Sequence, residues 1–332
     1  MKASATQRTV AFIVSEGRSG STWLSYVLGS HTGAAHLGEY YRPFTMPGHV
    51  ACRLCEARGR TECEILHGIE NVPKEHAYDF AFERFHQPIL IDASKILEWV
   101  VNFLHQERFQ VRVIHLMRDP RGWFASEGRR DPALLPDVAI TRWLDTNNKV
   151  IDLLASHHVP CFSVFYDDLA VHPERHFPPL CSFVGMRYES GALDYWNYEH
   201  HGLGGNGAAF NVIGKYEGAN VITGDNPFYR TNTQRHFYDT RWLRQLSGQQ
   251  RRAFEQSAAV RDLLARYDRD FSHFDALRAE CEERVTARSW GWPAAAFLAQ
   301  CPRLLRRLAT CCIGSRSSVK ESPSLGPPNA SG

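Results

Sequence analysis

Thr9–His31 reads TVAFIVSEGRSGSTWLSYVLGSH, and its reading decides the fold. An apolar run, Val10–Val14, is followed by a loop of glycines and hydroxyl residues, Ser15–Thr22. Trp23, Leu24, Tyr26, Val27 and Leu28 then recur at helical spacing. The pattern is strand, tight loop, helix. A helix that opens from such a loop points free backbone N–H groups and its positive dipole end at one spot. That spot suits a phosphate or a sulfate. Arg18 adds a permanent charge there, and Ser19, Ser21 and Thr22 add hydroxyl donors.

Further strands are expected at Ala34–Leu37, Pro88–Asp92, Val111–Met117 and Cys161–Tyr166. Helices are expected after Lys95, after Pro120, within Leu134–His157 and over Pro173–Val184. This alternation predicts an α/β, three-layer sandwich, with a central parallel sheet and helices on both faces. Ligands of such sheets bind at the carboxyl ends of the strands, where the unusual loops fall. Residues 44–78 carry proline, glycine and three cysteines, and read as an irregular insert rather than core. His200–Phe210 reads as a glycine-rich loop, and Trp242–Tyr267 returns to helical periodicity. The expected organisation is a tail at 1–8, a domain at 9–287, a helical segment at 288–314 and a disordered tail at 315–332.

Composition bounds the function. The chain has 332 residues, 43% hydrophobic and 22% charged, which supports a sizeable core. A net charge of +2 does not suggest a bulk nucleic-acid binder, so an anion site has to be local. Val10–Val14 is too short for a secretory h-region, and no run reaches a membrane-spanning length. Nine unevenly spread cysteines argue against a secreted disulfide framework and for a cytoplasmic setting.

The nucleoside-triphosphate loop G-x-x-x-x-G-K-[ST] does not fit. Gly17 and Gly20 are too close, and no lysine precedes the hydroxyl pair. Ile89–Asp92 does mimic an apolar strand ending in a metal-binding acid, which keeps an ATP-dependent kinase open. A second block matters more. Arg118-Asp119-Pro120-Arg121-Gly122-Trp123-Phe124-Ala125-Ser126 follows a strand. Arg118 ends the strand and Ser126 lies two turns into the next helix, so both can reach one phosphate.

Arg18-Ser19-Gly20-Ser21-Thr22-Trp23-Leu24 resembles the 5′-phosphosulfate loop of sulfotransferases that use 3′-phosphoadenosine 5′-phosphosulfate (PAPS). The Arg118/Ser126 spacing resembles that family's 3′-phosphate pair. Tyr166-Asp167-Asp168-Leu169 is similar to the family's Tyr-Glu-Asp-Leu segment, whose tyrosine lies near the adenine. Ile91–Lys95, Gly204-Gly205-Asn206 and the cysteine-bearing insert are similar to segments of bacterial members. The resemblance covers about residues 9–270.

It implies a P-loop-like fold, a sulfuryl transfer from PAPS to a hydroxyl of a carbohydrate, lipid or small metabolite, and no catalytic metal. It implies that Gly17, Arg18, Ser19, Gly20, Ser21, Thr22, Trp23, Arg118, Ser126 and Tyr166 bind the donor. Glu39 stands where the carbohydrate-type and bacterial branch has its base, and Lys95 is a candidate for holding substrate or offsetting charge. The cytosolic branch's histidine base has no counterpart in Asp92–Lys95. Each assignment has a plainer alternative. Trp23 and Tyr166 are core residues, Glu39 pairs with Arg42, and Lys95 is a solvated helix-start lysine. His36 is the fallback base, and Asn206 a candidate phosphate contact. Aromatic residues of 40–50 and 195–198 are candidates for the acceptor wall.

Cys52-x2-Cys55-x7-Cys63 followed by His67 has zinc-ligand spacing, with an open thiol cluster or a disulfide as alternatives. Leu304–Leu308 and Cys311-Cys312 suggest a capping helix, with peripheral membrane contact as the other reading. A non-catalytic nucleotide-binding protein on the same fold is the third functional class. Acceptor identity and oligomeric state are not legible.

Overall fold

A computed structural model describes residues 7–290 except 47, 49, 50, 208, 211 and 214–237. The segments 291–314 and 315–332, with the basic stretch and its cysteines, lie outside the described residues. The chain forms two compact units, Met1–Arg278 and Ala279–Gly332. Of the second, the described part is the end of the helix Phe271–Trp290.

Five strands make one parallel sheet: β1 Thr9–Val14, β2 Ala34–Gly38, β3 Ile89–Asp92, β4 Gln110–Met117 and β5 Cys161–Phe165. Their order is β2-β3-β1-β4-β5, with helices around the sheet. β1 is central and buried along its whole length, as its unbroken apolar run requires. β5 is an edge strand and starts half-exposed.

The chain leaves β1 through helix α1, Ser21–Gly29, and reaches the β2 edge. After β3 it passes to the other side of β1 to form β4. Connections therefore diverge at β1, and a crevice opens at the carboxyl ends of β1 and β4. The two blocks expected from the sequence to bind anions follow these two strands.

The insert departs from its sequence reading. It contains the short helices α2, Arg42–Thr45, and α3, Arg53–Ala57, and it buries Leu54, Cys55, Leu66 and Ile69. It therefore carries a small core of its own instead of lying outside one. The 200–206 stretch is also packed. Leu203 is fully buried and bridges both Gly38 and Cys52. Trp242–Tyr267 is not one helix but three short ones, broken at Ser247 and Ser257, each of which caps the helix that follows.

Candidate active site

The loop after β1 is held in an unusual shape. Arg18 has φ 72° and Gly20 has φ 99°. A left-handed arginine costs about 1 kcal/mol or more, and such residues persist where the surroundings over-determine them. The surroundings here are the second block. Arg118 Nη1 donates to the Arg18 carbonyl at 3.0 Å, and Trp123 Nε1 to that of Gly17 at 2.8 Å. The Tyr166 ring fills the space beside Gly20, where a Cβ would meet it at 2.6 Å. The Arg118 guanidinium lies 4.9 Å from the centre of that ring.

Helix α1 starts at Ser21 without a side-chain cap, so its first N–H groups face the loop's concavity with no cap oxygen on them. A cavity of about 270 Å³ opens there. Its wall brings together Gly17, Arg18, Gly20, Ser21, Thr22 and Trp23 from the loop, Arg118 and Ser126 from the second block, and Tyr166, Glu39 and Lys95. Ser19 is the exception among the expected donor-binding residues. It is buried off the wall, and its N–H closes a turn onto the Glu16 carbonyl at 3.3 Å. Trp23 is half-buried, edge-on to Tyr166 and to Phe177, so it is both a wall and a packing residue.

Two buried nitrogens of residues on this wall, Arg18 Nε and Arg118 Nε, have no hydrogen-bond partner within the chain. Such groups are rare unless a ligand or water satisfies them. The Arg118 guanidinium also meets Asp239, Nη2 to Oδ2 at 3.4 Å. Asp239 was not foreseen from the sequence. It also pairs with Arg241 at 2.7 Å and with Arg129 at 3.7 Å. Burial works against its charge, but Arg241, Arg118 and Arg129 outweigh it and hold the carboxyl far below the usual carboxylate range. No motif marked it, because it lies 121 residues from Arg118.

Glu39 follows β2 on the other side of the cavity. Lys95 Nζ donates to Oε1 at 2.5 Å, and Arg42 Nε donates to Oε2 at 2.7 Å. Burial pushes the carboxyl up, but Lys95 and Arg42 together more than offset it, and the net shift is downward. The salt-bridge alternative for Glu39 is therefore present alongside its place in the cavity. Lys95 is one of the few non-glycine residues with positive φ, 68°. It follows a turn in which Asp92 Oδ1 accepts from the Ser94 N–H at 2.6 Å.

Asp92 does not reach the cavity. Its other oxygen accepts from Tyr78 Oη at 2.5 Å and from Trp99 Nε1 at 3.2 Å, inside the core. It does not cap the next helix, which opens at Leu97. His36 is not on the wall either. It is buried, stacked at 4.1 Å on Tyr26 and bonded to Ser25 Oγ at 2.7 Å, and burial with the neighbouring His200 holds it well below the usual range. The fallback base is thus a core histidine. Of the expected acceptor-wall aromatics, Tyr195 and Trp196 line the cavity with Leu193. Tyr40 and Phe44 pack inward on Tyr78 and Trp99.

The 200–206 stretch closes over the loop. Asn206 lines the cavity, and its N–H donates to Thr22 Oγ1 at 3.0 Å. Arg53, on α3, donates to the Gly205 carbonyl at 2.9 Å. The cysteines of the insert meet this stretch as well. Cys52, Cys55 and Cys63 gather around His201, not around His67. His67 is exposed, with Glu62 at 3.9 Å, so the expected ligand set Cys52, Cys55, Cys63, His67 is corrected in its fourth member.

Residues 11–190 match the model of the sulfotransferase family. Among solved structures, the chain is similar to a sulfotransferase domain from the curacin biosynthetic pathway, with 16% identity, a TM-score of 0.47, and coverage of 75% of this chain and 97% of that one. It is also similar to the sulfotransferase domain of the Synechococcus PCC 7002 olefin synthase, with 20% identity, a TM-score of 0.40, and coverage of 74% and 95%. No curated protein matches. With more than half of its length matched, the chain belongs to the sulfotransferase family.

Proposed function

We propose that the chain transfers a sulfuryl group from PAPS to a hydroxyl of a carbohydrate, lipid or small metabolite. The observation that carries this reading is that one cavity wall holds two cationic, hydroxyl-bearing blocks, Arg18 with the uncapped start of α1 and Arg118 with Ser126. A donor with an anionic group at each end suits the two blocks. Arg18 and the N–H groups of Ser21, Thr22 and Trp23 would hold the phosphosulfate end and stabilise the charge that grows on the leaving phosphate. Arg118 and Ser126 would hold the 3′-phosphate, with Tyr166 and Trp23 beside the adenine.

Glu39 would take the proton as the acceptor oxygen bonds to sulfur and the bond from sulfur to the phosphate oxygen breaks. Lys95 is at hand to offset charge on the transferring group. Leu193, Tyr195 and Trp196 give the acceptor side an apolar, aromatic wall, which suits a sugar face or a lipid.

The kinase alternative loses its support at Asp92, whose oxygens are engaged in the core. The test is calorimetry of adenosine 3′,5′-bisphosphate against ADP and ATP with Mg²⁺. The bisphosphate is expected to bind more tightly, and Arg118→Ala to weaken it by about 1.5–3 kcal/mol, the scale of a charge-assisted bond. Preference for ATP overturns the reading. Tight bisphosphate binding with no sulfate transfer across a panel of alcohols leaves a binding protein in its place.

A further inference from the structure

Nδ1 of His201 lies 3.6 Å from Cys52 Sγ, 3.6 Å from Cys55 Sγ and 3.4 Å from Cys63 Sγ. The four atoms are all within 4.8 Å of one another. One ring nitrogen cannot hydrogen-bond usefully to three thiols at once. A nitrogen nearly equidistant from three sulfurs is, however, the apex of a tetrahedron. Zinc bonds of about 2.3 Å to sulfur and about 2.0 Å to nitrogen place the nitrogen about 3.5 Å from each sulfur.

The outer contacts fit as well. His201 Nε2 lies 3.2 Å from Glu199 Oε1, and Arg58 pairs with that carboxylate in turn. A carboxylate behind a ligating imidazole fixes its tautomer and ring orientation. The three cysteines are buried and free of disulfides.

We propose that Cys52, Cys55, Cys63 and His201 bind one zinc ion in a closed structural site, and that the ion fastens the 200–206 stretch across the anion loop. Three soft thiolates and an imidazole in tetrahedral array select zinc, and four protein ligands leave no open position for chemistry. The thiols lose their protons to solvent as the metal binds.

The fastening follows from what lies beside each ligand. Cys52 bridges Leu203, two residues after His201. Leu203 donates to the Leu37 carbonyl at 2.9 Å and accepts from the Glu39 N–H at 2.7 Å. Arg53 holds Gly205, and Asn206 meets Thr22. The metal therefore ties the insert to a strap that touches both Glu39 and the anion loop. That this strap matters for the donor rests on the function proposed above, but the metal site does not.

The first test is the zinc content of the full-length chain as purified and after reconstitution, without nucleotide. One zinc per chain is expected, and the cobalt(II)-substituted protein should show thiolate charge-transfer and tetrahedral ligand-field bands. His201→Ala should weaken zinc binding by more than the ~10–100-fold that loss of an outer partner costs. Glu199→Gln should weaken it by about that factor with the cobalt bands kept, and serves if His201→Ala does not fold. His67→Ala should bind zinc as the parent does. A reconstituted chain without stoichiometric zinc, or loss of metal in His67→Ala but not in His201→Ala, overturns the site. Hydrogen exchange of the Leu203 and Asn206 amides should quicken when zinc is chelated, and unchanged exchange overturns the strap.

Discussion

Glu39, proposed above as the base, is also a structural partner. Each carboxylate oxygen already has a cation, Lys95 on one and Arg42 on the other. Those cations hold the group below its ordinary value, so it is ionised at neutral pH and ready to accept a proton. The same contacts make it a weaker base, and an entering hydroxyl has to take over one of them. Lys95 is the partner placed to give way, because it also lines the cavity and has a proposed role toward the transferring group. Glu39→Gln keeps the shape and removes the charge. Turnover is expected to fall at least ~100-fold while bisphosphate affinity, measured by calorimetry, stays close to that of the parent. A fully active Gln variant would remove Glu39 from the base role. At this scale the sequence was informative where a residue sits at a fixed offset from a strand end. Arg18, Glu39, Lys95 and Arg118 follow β1, β2, β3 and β4, and all four reach the cavity. Asp239 and His201 follow no such rule, since only the packing of distant segments puts them in place.

Among the elements, the 200–206 stretch changes most between sequence and structure. Its glycines read as a sign of a plain loop, but they allow close approach: a Cβ on Gly202 would stand 2.3 Å from the His36 ring, and the same holds for Gly38, which the stretch crosses. Gly38 has φ 72°, and a Cβ on it would stand 2.1 Å from the Leu203 carbonyl oxygen. That gap is what lets the stretch cross the end of β2. Gly38→Ala combines a left-handed alanine with a backbone clash, and is expected to destabilise the chain by about 2 kcal/mol or more in urea titration. Gly128, at the end of the helix Pro120–Gly128, has open space around its Cα and serves as the control. Gly128→Ala should be neutral or stabilise by up to about 1 kcal/mol. Equal losses in both variants would mean that the crossing is not close. The second block likewise divides by face. Arg118 turns to the cavity, whereas Arg121 is buried against Asp119, Glu255 and Asp275 and lies 4.5 Å from the Trp242 ring centre. Arg118 stands between β4 and the helix and Arg121 in the helix's first turn, but only the C-terminal helices show which one is structural.

The whole chain places several titratable groups away from water, and this sets its response to acid. Burial holds His36 and His31 below the usual histidine range and lowers His115 and His200 to about 4. Unfolded histidines take up protons near pH 6.5, so acidification favours the unfolded chain from about pH 6.5 down to about pH 4. Asp167 opposes this. Burial and the nearby Asp119 raise it to about 7, and its contribution is instead lost as pH rises from about 3.9 through 7. The histidines outnumber it, and a net loss of stability below pH 6.5 is expected. His115 isolates the effect. It is fully buried on β4, bonded through Nε2 to Asn147 Oδ1 at 2.9 Å, and its Nδ1 has no partner. His115→Gln keeps a donor for Asn147 and removes the titration. At pH 7 the variant should be the less stable of the two, through lost packing. As pH falls to 4.5 the parent should lose up to about 3 kcal/mol relative to the variant, so that the difference between them narrows or reverses. Urea titrations of both proteins at the two pH values check this, and a difference that does not change with pH would show that His115 is not held neutral by the fold.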